Sequence, residues 1–184
     1  MVQRKRNVAC LESLWDDKTE DRLNVVPILE LISKTLDVKC SQLNCNTENE
    51  FEYNLGLLRK RNYGILYLGF HGSGGTIFLH DKSEIDLAEI AEMMGNGFSD
   101  WIIHFGSCGV LRKKKALEDF VGNTQVAVAT GFTKTIDWIE SAALELLLFQ
   151  AFQTYTNPKL ACRSMLTKYP DLVNRTGFCF YADN

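Results

Sequence analysis

Two short apolar runs, residues 63–70 and 101–107, constrain the fold of this chain more than any other feature. Each has the length and composition of a buried strand. Segments of the same kind alternate along the chain with segments whose apolar residues recur at helical spacing. Strands that alternate with helices predict a mostly parallel sheet covered on both faces. We therefore expect an α/β chain with a three-layer α/β/α sandwich, and a single domain over residues 1–184. The other predicted strands cover residues 7–14, 38–45, 125–131 and 177–181.

The residues directly after these two runs carry the chemistry. His71-Gly72 follows the first run and Cys108-Gly109 follows the second. The carboxyl ends of parallel strands border the crevice where ligands bind, and adjacent strands lie about 4.8 Å apart. If the two strands are neighbours, the imidazole and the thiol emerge side by side, as a nucleophile with its base. The sequence therefore predicts a catalytic pair of Cys108 and His71.

Backbone groups beside this pair have a predicted role of their own. Gly72 has no side chain to obstruct a substrate carbonyl, so its N–H and that of Cys108 could together form an oxyanion hole. A helix is predicted over residues 111–121. Its amino terminus would favour a thiolate at Cys108.

The remaining histidines and cysteines have structural interpretations. His104 lies inside a predicted buried strand and is expected to be a hydrogen-bonded core residue, whereas His80 is expected to be solvated at a hairpin tip. The five cysteines other than Cys108 lie within strand or helix patterns and are expected to be free core thiols. Because there is no Cys-x-x-Cys pair and no close His/Cys/Asp cluster, we expect no metal site.

Composition bounds the partners and the location. The 184 residues are 46% apolar and 23% charged with a net charge of −3, which is ordinary for a globular protein and gives no support to a nucleic-acid or membrane-surface partner. No run is apolar for long enough to span a bilayer. The basic start is followed within a few residues by Glu12, Asp16 and Asp17, which leaves no signal-peptide core. These features predict a cytoplasmic protein.

The two blocks also resemble a known group of enzymes. A strand ending in Phe70-His71-Gly72, followed some forty residues later by Gly106-Ser107-Cys108, is similar to the caspase-like (clan CD) cysteine peptidases, nearest to the CHAT and separase branch. The predicted hairpin and helix at 75–94 match the segment between the blocks. The resemblance implies a six-stranded sheet of order 2-1-3-4-5-6 with an antiparallel last strand. It also implies a Cys-His dyad that hydrolyses protein or peptide substrates through an acyl-enzyme, without a cofactor.

Departures from the family pattern concern substrate preference. Caspases carry Gln-Ala-Cys, whereas this chain has Gly106-Ser107-Cys108, so the preference for aspartate is not implied. Metacaspase-like members often place an acidic residue at the position of Gly106, which cannot bind a cation. Asp16 and Asp17, after the first strand, are the candidates for a basic substrate pocket. A solvated turn is the interpretation that we favour for both.

Three functions follow as hypotheses. The first is a cysteine endopeptidase, the second a caspase-like regulatory or interaction module without turnover, and the third a flavodoxin-like small-molecule binder that uses the glycine-rich segment 72–76. No Gly/Ser/Pro-rich linker follows Cys108, so maturation by cleavage between two halves is not expected. Control by an activating partner protein, a ligand or substrate supply is expected instead.

Overall fold

The computed structural model of the protein describes residues 5–18, 20 and 23–183. It contains short strands of the predicted kind. Those of the main sheet are five residues long or shorter and almost entirely buried in its centre. The strands are β1 (Val8–Glu12), β2 (Cys40–Asn44), β3 (Ile65–Gly69), β4 (His71–Ser73), β5 (Thr76–Phe78), β6 (Glu84–Asp86), β7 (Ile102–Phe105), β8 (Val128–Phe132) and β9 (Phe178–Tyr181).

Helices fill the segments between the strands, and capping residues mark where several of them begin. Thr47 forms a reciprocal capping box with Glu50, and the Asp137 carboxylate accepts hydrogen bonds from the Ile139 and Glu140 amides, as its position in the sequence predicts. The helices are α1 (Val26–Leu36), α2 (Glu48–Leu58), α3 (Leu87–Met94), α4 (Lys114–Thr124), α5 (Trp138–Thr154), α6 (Pro158–Lys168) and α7 (Pro170–Thr176).

Six of the strands form one sheet in the order β2-β1-β3-β7-β8-β9. Every pair is parallel except β8 with β9, which is antiparallel. Numbered within this sheet alone, the order is 2-1-3-4-5-6, so the predicted topology is confirmed. β3 and β7 are direct neighbours, with Leu68 opposite Phe105. The segments that leave these two strands therefore start at the same edge of the sheet.

Helices cover both faces of the sheet, which confirms the α/β sandwich. Alternate residues of a strand point to opposite faces, so Ala9 and Leu11 join a core under α2, α3 and α4. Val8 and Cys10 join a second core under α1, α5 and α6. None of the described helices is long and apolar enough to cross a membrane.

Three local features differ from the sequence-based predictions. Residues 72–75 were expected to form a turn, but His71–Ser73 forms β4, the first strand of a small antiparallel sheet with β5 and β6. Helix α7 was not predicted, because its seven residues give too short a periodic pattern. The predicted helix at 111–121 begins later, at Lys114.

Candidate active site

A groove of about 190 Å³ lies at the carboxyl ends of β3 and β7, and both Cys108 and His71 line it. His71 is exposed and Cys108 is half-buried. The groove lies where parallel α/β sheets bind their ligands. Its walls come from the segment after β1, with Trp15, and from the start of α5, with Trp138. The structure therefore brings together the two residues that the sequence singled out.

Ser107 ties the ends of the two strands together. Its buried hydroxyl accepts a hydrogen bond from the Phe70 amide at 3.3 Å and lies 3.4 Å from the Leu68 carbonyl oxygen, to which it donates. Phe70 and Ser107 directly precede His71 and Cys108. The bond therefore fixes the separation of the two segments from which the functional side chains leave the sheet.

Trp15 orients the His71 ring. Nε2 of His71 lies 2.9 Å from the carbonyl oxygen of Trp15. Because a carbonyl oxygen can only accept, Nε2 carries the proton and the neutral ring keeps its lone pair on Nδ1. The indole of Trp15 also meets the imidazole edge-on, with ring centroids 4.9 Å apart. Nδ1 is therefore the atom of His71 that is free to act as a base.

The buried Glu12 carboxylate fixes the indole of Trp15. Glu12 is only 2% exposed, and its Oε1 accepts from Nε1 of Trp15 at 2.5 Å and from the Val25 amide at 2.8 Å. Oε2 accepts from Nε2 of Gln42 at 3.2 Å. Burial raises the pKa of Glu12, and these hydrogen bonds partly offset that effect. Sequence analysis did not identify Glu12 or Trp15 as functional residues.

The β4–β5 hairpin packs its outer edge against the Cys108 loop. The Gly74 amide donates to the Gly109 carbonyl oxygen at 3.1 Å. Gly74 and Gly75 both have positive φ and form a two-residue turn, so Ser73 and Thr76 exchange the first pair of ladder hydrogen bonds. Ladder bonding alternates along an antiparallel pair. The N–H of Gly72 therefore points away from β5, toward the outer edge.

Gly72 allows this close approach. A Cβ at this position would collide with Cγ2 of Val110 and lie 3.0 Å from Cβ of Ser107. Only a glycine lets β4 pass so near the loop that carries Cys108. β4 therefore runs beside the loop that carries Cys108, and the predicted oxyanion hole requires the N–H of Gly72 to face that loop.

The three residues considered for a substrate pocket, Gly106, Asp16 and Asp17, do not all lie in the groove. Gly106 and Asp16 both line the groove. Asp17 does not belong to the lining; its side chain is 88% exposed and its Oδ1 lies 3.3 Å from Nε2 of His80. His80 itself is half-buried rather than solvated, because it packs against this segment and its amide donates to the hydroxyl of Ser13.

The α-helix that was expected to follow Cys108 directly does not do so. A single 3₁₀ turn, Val110–Arg112, comes first, and Lys113 has an extended backbone before α4 begins. Gly109, in a left-handed conformation, donates to the Lys134 carbonyl oxygen instead of starting a helix. α4 therefore begins at Lys114 rather than directly after Cys108, and the predicted effect of its amino terminus on a Cys108 thiolate loses its basis.

The five other cysteines are free and differ from Cys108 in their surroundings. Burial raises the pKa of Cys40 and Cys45 to about 11 and that of Cys179 to about 12. It raises the pKa of Cys10 and Cys162 further. All five are thus held as thiols near neutral pH, and none of them lines the groove.

His104 is a core residue, as predicted. It is fully buried, with Nδ1 2.9 Å from Oγ1 of Thr130 and Nε2 3.1 Å from Oε1 of Glu145. The Tyr67 hydroxyl donates to the other oxygen of Glu145 at 2.8 Å. This buried network lies beneath the groove and leaves His71 as the histidine that reaches it.

A larger cavity, of about 330 Å³, lies at the amino-terminal ends of the strands, opposite the groove. Its cations are already engaged: Lys5 pairs with Asp37, and Arg6 donates to three carbonyl oxygens at the end of α5 and just beyond it. Within the part of the chain that the structure describes, no group of three or more His, Cys, Asp or Glu side chains is arranged to hold a metal ion.

Comparison with known families covers nearly the whole chain. Residues 5–182 match the family described as a family of unknown function, DUF6642. The chain belongs to DUF6642. No curated protein matches the sequence. The matched span includes every element that builds the groove, from β1 to α5.

Proposed function

We propose that this member of DUF6642 is a caspase-like cysteine endopeptidase that cleaves protein or peptide substrates through Cys108 and His71. One observation carries the proposal: both side chains line one groove at the ends of adjacent parallel strands. The bond from His71 to Trp15 supports it, because it leaves Nδ1 of the ring as a base. The chemistry requires no cofactor.

The acylation step begins with Cys108. His71 takes the thiol proton, and the sulfur attacks the carbonyl carbon of the scissile bond, so that a C–S bond forms and the carbonyl electron pair moves to oxygen. The N–H groups of Gly72 and Cys108 donate to that oxyanion. His71 then gives its proton to the amide nitrogen, the carbonyl re-forms and the C–N bond breaks. The amine departs, and the acyl group remains on Cys108 as a thioester.

Deacylation reverses these roles with water as the nucleophile. His71 takes a proton from the water as its oxygen bonds to the thioester carbon. The C–S bond then breaks, the carboxyl product leaves, and the sulfur regains the proton from His71. One water is consumed for each peptide bond, and the enzyme returns to its starting state.

The size and shape of the groove favour a peptidase over a small-molecule binder. Sites that enclose a whole small molecule usually measure about 300–1,000 Å³, and this groove measures about 190 Å³. Residues 72–76 lie within the β4–β5 hairpin rather than in a loop that leads into a helix, so they lack the helix amino terminus that binds phosphates. A module without turnover is the remaining alternative.

The proposed setting is the cytoplasm, and no nucleic acid or membrane partner is proposed. Six free cysteines suit a reducing compartment. The net charge of −3 gives no support to a polyanionic partner.

Incubation with an unfolded, alkylated protein tests the proposed function. We expect the wild-type chain to generate new amino termini that mass spectrometry identifies, and the Cys108→Ala and His71→Ala variants to generate none. The silent-module alternative predicts no cleavage by any of the three. No cleavage by the wild-type chain, even at a one-to-one ratio of enzyme to substrate, would contradict the proposal.

Glu12→Ala is expected to slow turnover although Glu12 does not touch the groove. Without the carboxylate, Trp15 loses the acceptor that fixes its indole, and His71 loses its orientation. A misplacement of about 1 Å can cost about 100-fold in rate. Steady-state kinetics should show this loss in kcat, because Glu12 fixes Trp15, whose carbonyl oxygen orients the base.

Two matched variants control this experiment. Glu12→Gln keeps an oxygen for the indole and the Val25 amide and should restore most of kcat. Gln42→Ala removes only the weakest of the three bonds to Glu12 and should leave kcat near the wild-type value. Equal kcat in Glu12→Ala and wild-type protein would exclude a positioning role for Glu12.

The active form is expected to be an uncut chain. The segment after Cys108 is filled by the 3₁₀ turn and α4, which leaves no long loop before β8. Control then depends on a partner protein, a ligand or substrate supply. The intact mass of active protein should equal that of the full chain. A stoichiometric cut between residues 110 and 124 that appears together with activity would refute this prediction.

A further inference from the structure

We infer that the groove is the subsite for the substrate residue on the amino-terminal side of the cleaved bond, the P1 residue, and that it selects an apolar side chain. This inference rests on the proposed function and adds the substrate class to it. The side chain next to the attacked carbonyl must lie close to Cys108. The groove adjoins Cys108 directly and is therefore where the P1 side chain enters.

The walls of the groove are aromatic and aliphatic. Trp15 and Trp138 meet edge-on, with ring centroids 5.3 Å apart, and Leu23 and Ile136 extend the same surface. Leu23 is 52% exposed. A bound apolar side chain would shield this surface from water, which is the main source of affinity in such a pocket.

Three polar groups around the groove already have partners within the chain. The indole N–H of Trp15 donates to Glu12, and the Ser141 hydroxyl donates to the Trp138 carbonyl oxygen at 2.9 Å. Oδ1 of Asp16 accepts from the Lys18 amide at 2.9 Å. A polar P1 side chain would thus exchange its hydration for few new hydrogen bonds, which disfavours it.

The charge of the lining argues against an acidic or a basic P1 residue. None of the described lining residues is a lysine or an arginine, so a carboxylate would have no counter-ion. Asp16 is the one carboxylate among them, and it closes its own turn with the Lys18 amide. A single half-exposed carboxylate in high dielectric attracts a cation weakly.

The floor of the groove limits its depth. A Cβ at Gly106 would collide with the ring of Tyr67, which means that the tyrosine occupies the space beneath the glycine. Tyr67 is held there by its bond to the buried Glu145. A long Lys or Arg side chain therefore cannot pass downward toward Glu145. A volume of about 190 Å³ suits one leucine-sized or phenylalanine-sized side chain.

A set of fluorogenic peptides that differ only at P1 tests the inference. With Leu, Phe, Arg or Asp at P1, we expect kcat/KM for Leu or Phe to exceed that for Arg and Asp by at least about 10-fold. Trp138→Ala and Ile136→Ala should each reduce this preference, mainly through a higher KM. Asp17→Asn, outside the groove, should leave the profile unchanged.

The outcomes separate the inference from the proposed function. Cleavage with a preference for Arg that Asp16→Asn removes, a preference for Asp, or equal rates for all four peptides would overturn the apolar subsite and leave the peptidase standing. No cleavage of any peptide, with wild-type protein indistinguishable from Cys108→Ala, would remove both.

Discussion

Cys108→Ala is expected to abolish turnover, by at least about 10⁴-fold in kcat, because the proposed reaction has no other nucleophile. The fold should be retained, since a half-buried thiol at the end of a strand contributes little packing. His71→Ala should lose nearly as much, and the double variant hardly more than either, since the two residues act as one unit. Turnover and thermal unfolding, measured on the same preparations, check both claims.

Two other cysteines provide the matched controls. Cys162, fully buried in α6, and Cys179, which packs against the core from β9, should tolerate Ala without a change in kcat. Each substitution should instead cost about 1 kcal/mol in the free energy of unfolding, because it leaves a small cavity. Full activity in Cys108→Ala protein would end the peptidase hypothesis.

Glu145→Leu is expected to produce the largest loss of stability. Glu145 is 1% exposed and accepts hydrogen bonds from Tyr67 and His104, so its loss leaves two buried polar groups without their partner. Each buried polar group left without its partner costs about 1–3 kcal/mol, so we expect about 3–5 kcal/mol for the two together. For a chain of this length that corresponds to a fall of roughly 6–20 °C in Tm.

Two control variants define this loss of stability. Glu145→Gln keeps one acceptor for the Tyr67 hydroxyl and should cost less than Glu145→Leu. Gln150→Ala, on the exposed side of α5, should change the free energy of unfolding by no more than about 0.5 kcal/mol. A Tm of Glu145→Leu within 2–3 °C of that of Gln150→Ala, on the scale of about 2–4 °C per kcal/mol, would show that the network does not stabilise the fold.

The strands and the parallel character of the sheet could be predicted because their signals are local. Short buried strands separated by amphipathic helices specify a parallel sheet, and the resemblance of the two blocks supplied the strand order. The adjacency of β3 and β7 then brings His71 and Cys108 to one groove. The same logic correctly assigned His104 to the core, since it lies in the middle of a buried strand.

The parts of the site that could not be predicted depend on contacts between distant segments. Trp15 acts through its carbonyl oxygen, which any residue possesses, so its identity gives no signal. Glu12 ends a buried strand and has an acidic residue's usual preference for the surface, and its partners Trp15, Val25 and Gln42 come from three different segments. The start of α4 was misplaced because Gly109 bonds to Lys134, a residue from beyond the next strand.

The most direct test of the central claim is the site at which a peptidyl acyloxymethyl ketone labels the protein. The account predicts one adduct per chain, located on Cys108 by peptide mapping, with a rate that falls strongly in His71→Ala protein. Labelling at another cysteine, or labelling of Cys108→Ala protein at the wild-type rate, would contradict it.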